Sequence, residues 1–101
     1  MTLPKFIITS DGHLRLGWVH MHRDLLQSGD KCFGGGYFFV DSVSMQLKLD
    51  RSSYDYGRPM WHLLTRLVVP HEYRGMSIVY SYDDDDCGDV ILSDILPVEY
   101  I

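Results

Sequence analysis

The chain has 101 residues, 46% of them hydrophobic and 23% charged. That suits one domain over residues 1–101 with one core, and it excludes disorder and a second domain. A net charge of −5 with no Lys/Arg cluster argues against nucleic acid or an anionic membrane surface as partner, because such binding draws on neutralising several phosphates.

The two cysteines, Cys32 and Cys87, match no zinc, haem or redox spacing and read as reduced thiols. Met1-Thr2-Leu3-Pro4-Lys5 does not resemble a signal peptide, and no apolar run approaches membrane-spanning length. The expected location is the cytoplasm.

In chain order, residues 5–10 form a β-prone run. Asp11-Gly12 is a two-residue hairpin signal for a type I′ turn. The return strand starts at His13, with Leu14 and Leu16 on one face. Gly17 is expected to mark a bulge that shifts the phase, turning Val19 and Met21 inward and both His20 and His22 outward. Arg23 to Ser28 reads as one or two helical turns capped by Gly29. Gly34-Gly35-Gly36 reads as a flexible or tightly turned entry to the next strand. Tyr37-Phe38-Phe39-Val40 is apolar on both faces, as in a central strand.

After a turn at Asp41 to Ser44, Met45 to Asp50 alternates as a half-buried strand does. Met60, Leu63, Leu64, Leu67 and Val68 fall on one face of a helix that starts at Pro59 and ends before Pro70. Met76 to Tyr82 alternates again. Asp83 to Asp89 is an acidic loop, and Val90 to Ile101 is read as a short helical turn followed by an edge strand. The expected fold class is therefore α+β: an antiparallel sheet of about five strands with one main helix packed on one face.

Several short patterns carry possible chemistry. His20 and His22 with Asp24 form a His-x-His pair plus carboxylate, a donor set suited to a divalent transition metal. His22-Arg23-Asp24-Leu25 copies part of a protein-kinase catalytic loop, but Gly29 stands where that loop requires Asn and the chain is far too short. Gly29 and Gly34 have the gap of a phosphate loop, but Gly35-Gly36 replace its Lys-Ser/Thr. Asp83, Asp85, Gly88, Val90 and Asp94 match calcium-loop positions, with Cys87 in place of an oxygen ligand and a preceding strand in place of the entering helix.

The middle of the chain is rich in Tyr and Arg, and Tyr54, Tyr56, Arg58, Tyr73 and Arg74 are candidate interface residues of the kind that dominate binding hot spots. No complete catalytic motif is legible. The expectation placed first is a small non-catalytic protein-interaction or regulatory module that self-associates and needs no cofactor. Two alternatives stand beside it. One is a small metal-dependent hydrolase or dioxygenase using His20, His22 and Asp24. The other is a binder of small anionic ligands through the glycine turn and Arg/Tyr groups.

Overall fold

The first hairpin follows from its sequence. β1 (Leu3–Thr9) buries Phe6 and Ile8 on one face, and Lys5, Ile7 and Thr9 on the other. β2 (Leu14–Val19) pairs with it antiparallel from Ile8↔Leu14 to Leu3↔Val19, without a break in register. The turn differs from the expected type I′. Only Gly12 adopts positive φ (92°), Gly12 N–H donates to Thr9 O, and Thr9 N–H donates to His13 O. That is a three-residue loop with the left-handed position at its end, which needs one glycine rather than two permissive residues. The computed structural model describes residues 1–50, 61–81 and 89–101.

β3 (Cys32–Asp41), β4 (Gln46–Asp50), β6 (Ser77–Ser81) and β7 (Asp89–Ile91) complete a six-stranded mixed sheet in the order β2-β1-β3-β4-β6-β7. All its pairings are antiparallel except β4 with β6, which is parallel. β5 (Leu67–Val69) and β8 (Val98–Tyr100) form a second, two-stranded parallel sheet. It is joined to the first hairpin by the bridge His13↔Val68, where Val68 N–H donates to Gly12 O at 2.8 Å.

The expected α+β arrangement, a sheet with one main helix on its face, is not what forms. Trp61–Leu63 makes a single 3-10 turn, and Leu67–Val69 is a strand; Pro59 and Met60 lie outside the described residues. Three contiguous residues, Leu67, Val68 and Val69, are all buried. A helix of this length would bury one face only, and a helix of about nine residues is marginal alone. A short apolar run bounded by Pro70 satisfies the strand pattern equally well, and pairing with β8 decides between them. The described chain has one short α-helix, α1 (Leu92–Ile95).

The main core lies between the first sheet and a cover made by the 61–69 segment, α1 and β8. Phe6, Ile8, Leu47, Leu49, Ile78 and Tyr80 meet Trp61, Leu67, Val69 and Leu92 there. Trp61 stands edge-on to Tyr80 with ring centroids 5.0 Å apart.

The glycine run is not a turn but part of β3, in the middle of the sheet. A Cβ at Gly36 would sit 1.9 Å from the Asp50 carbonyl oxygen, and one at Gly35 would sit 2.8 Å from that of Phe6. Side chains are excluded there because neighbouring backbone occupies their space. Gly36→Ala should therefore lower stability by about 2 kcal/mol or more in denaturant unfolding, since backbone cannot yield as a side chain does; a change within about 0.5 kcal/mol contradicts this packing.

Candidate functional site

The histidine pair is divided between two environments. Gly17 makes no bulge. A Cβ there would lie 3.1 Å from Leu25 Cδ2, so the glycine makes room for the segment that folds back over the sheet. His20 lies just beyond β2, exposed, with Nδ1 3.2 Å from the Met1 amino group. The chain then forms a 3-10 turn, His22–Leu25, whose Asp24 carboxylate accepts the Met21 backbone N–H at 3.0 Å.

His22, expected to face outward, is 5% exposed. Its ring lies over Gly35 and edge-on to Tyr37 (centroids 5.7 Å apart), and Nε2–H donates to Gly36 O at 2.8 Å. Burial is possible because the glycines leave a trough in that face of the sheet. The three candidate ligands thus make separate hydrogen bonds. No group of three or more His, Cys, Asp or Glu side chains converges as a metal set among the described residues.

Of the interface candidates, Tyr54, Tyr56 and Arg58 lie outside the described residues, as do Asp83, Asp85 and Gly88 of the calcium-loop pattern. Tyr73 closes a 3-10 turn, His71–Tyr73, and packs half-buried against the core. Burial, with the Glu72 charge adding to it, raises its hydroxyl pKa. Arg74 is exposed beside it. The amides of Gly34–Gly36 belong to a sheet strand, so they form no anion-binding turn. Cys32 is an exposed free thiol whose pKa is raised by burial of part of the group.

Two surface features stand out instead. The first is a cleft of about 390 Å³ lined by Pro4, Trp18, Phe38, Phe39 and Val40. Trp18 is 67% exposed and Phe39 63%. Its cause is local. β1 pairs with β3 only as far as Lys5↔Tyr37, because Pro4 has no amide to donate toward β3. The ladder stops there, and the apolar residues beyond it line the cleft. The sequence signals were present, in Pro4 at the strand start and in the doubly apolar run Phe38-Phe39-Val40, but that run reads equally as a fully buried strand.

The second feature is a groove of about 720 Å³ along β2, the outermost strand of the sheet. Leu14 and Leu16 lie at its base, Leu25 and Leu26 on one side, and Pro70 and Ile101 on the other. Arg15 in this strand is ion-paired with Asp30 at 3.0 Å, and Asp30 also accepts Gln27 N–H. No helix among the described residues is long and apolar enough to cross a membrane. Comparison of the chain with protein-family models, curated proteins and solved structures gives no match.

At the turn beside this groove, the Thr9 hydroxyl bond, assisted by the His13 charge, holds the Asp11 carboxyl below its ordinary range. The folded state thus favours ionised Asp11. That contribution is complete above the ordinary carboxylate pKa of about 3.9 and is lost as pH falls through the lower folded value. Asp11→Asn should flatten the acid limb of the stability–pH profile below about pH 4, and an unchanged slope would refute the assignment. The histidines should separate as sharply. His22→Ala is expected to cost about 2–4 kcal/mol in unfolding experiments, and His20→Ala less than about 0.5 kcal/mol; equal effects would contradict their placement.

Proposed function

We propose that this chain is a small non-catalytic protein-interaction module that associates with itself, working in a reducing, cytoplasmic setting. The observation that carries the reading is the open apolar cleft of Pro4, Trp18, Phe38, Phe39 and Val40. Two large aromatic side chains exposed by about two-thirds at one end of a sheet are unusual for a surface that stays in water. Trp is also among the residues most enriched where binding energy concentrates.

Several polar side chains among the described residues support the same choice by being engaged elsewhere. His22 is fixed to the sheet backbone, Asp24 caps its own turn, and Arg15 is neutralised by Asp30. The free thiol of Cys32 suits a reducing compartment.

Sedimentation equilibrium over about a hundredfold concentration range tests the reading. The weight-average mass should rise from that of one 11.7 kDa chain toward an integral multiple of it. A mass fixed at one chain over the whole range would overturn self-association.

A further inference from the structure

We infer that the second copy docks on the free edge of β2, by antiparallel pairing of β2 with β2 about a two-fold axis at Gly17. This rests on the self-associating reading and names the surface that performs it.

Hydrogen-bond phase identifies the atoms. Thr9 N–H bonds to His13 O, and in an antiparallel pair the residues bonded to the neighbour alternate with residues that point away from it. With the register Ile8↔Leu14 to Leu3↔Val19, residues 13, 15, 17 and 19 turn their main-chain groups toward β1. Leu14, Leu16 and Trp18 turn theirs outward. The His13↔Val68 bridge brings β5 against the edge at Leu14. The N–H and C=O groups of Leu16 and Trp18 remain for a partner.

Residues opposite one another in an antiparallel pair share a face. A two-fold pairing that joins only Leu16 and Trp18 therefore sets Leu16 against Trp18 of the second copy, Gly17 against Gly17, and Arg15 against Val19. The second copy's strand then runs into the groove beside Leu16. Its indole comes onto the side of the sheet where Pro70 and Ile101 form the wall.

Charge favours a second copy of the chain at the β2 edge over one at β7. Residues 82–101 carry seven carboxylates and no Lys or Arg, whereas residues 1–40 hold four Lys/Arg against three Asp. The net negative charge thus belongs to the part of the sequence that supplies β7, the opposite edge. β7 is three residues long and follows four consecutive aspartates; short length and charge are what keep an edge from pairing. β2 is six residues long, has no proline, and carries one charge, Arg15, already paired with Asp30. Two copies meeting β2 to β2 bring near-neutral surfaces together and hold their acidic ends apart. Meeting at β7, they would repel.

The test combines sedimentation with amide exchange. Leu16→Pro removes an outward-pointing N–H, and Trp18→Lys alters an exposed side chain. Each should weaken the apparent dimer Kd by at least about tenfold, whereas Val43→Ser, at an exposed residue outside both the cleft and the groove, should stay within about twofold of the parent. In the unaltered chain, exchange of the Leu16 and Trp18 amides should slow as concentration rises, which decides the matter should Leu16→Pro fail to fold. A dimer that Phe39→Ser dissociates, with Leu16 and Trp18 amides insensitive to concentration, overturns the β2 edge and leaves self-association standing. A chain monomeric throughout overturns both.

Discussion

Gly35 and Gly36 carry the constraint on which the other packing depends, namely close approach of backbone to backbone in the middle of the sheet. At Gly36 the Asp50 carbonyl takes the place of a side chain, with the Phe6 ring also against it. On the other face, Gly35 lies beneath the His22 ring. Phe6 reaches the main core from one side, and the His22–Leu25 turn folds down on the other. Two residues without Cβ thus let one sheet carry cover on both faces, in a chain too short to build a thick layer on each.

The surface candidates follow from where that cover ends. The segment after β2 crosses back over Gly17, where Leu25 fits, and forms one wall of the groove. The β5–β8 sheet, attached at His13↔Val68, forms the other wall. Neither covers the end of the sheet where the β1–β3 ladder stops at Lys5, so Trp18 and Phe39 lie open there. The cleft reaches from β3 past Pro4 of β1 to Trp18 of β2, the strand along which the groove also runs.

Much of this was legible in the residues. A β-prone run marks β1, alternation marks β4 and β6, and Pro97 separates α1 from β8 as the mixed periodicity of the last twelve residues implies. The failures have particular causes. Helical spacing from Met60 to Val68 lost to tertiary pairing of Leu67–Val69, because three fully buried consecutive residues suit a covered strand. The glycine run reads as conformational freedom, whereas its requirement is space, which is set by residues distant in sequence: Phe6, His22 and Asp50. His22 is misplaced for a related reason, since Gly17 reads as a break in β2 whereas it accommodates Leu25, while His20 lies outward as expected. The cleft was the hardest feature to foresee. A doubly apolar strand end is buried or open according to whether anything covers it, and no local pattern encodes that.

The most direct measurement on this account is the tautomer and exchange rate of the His22 imidazole, read by nitrogen–proton NMR. The packing over Gly35 and the bond to Gly36 O predict a proton held on Nε2 and protected from solvent exchange, correlated across the hydrogen bond with the Gly36 carbonyl. A ring protonated on Nδ1 alone, or an Nε2 proton lost rapidly to water, would show that the histidine does not rest in the glycine trough and that the sheet is organised some other way.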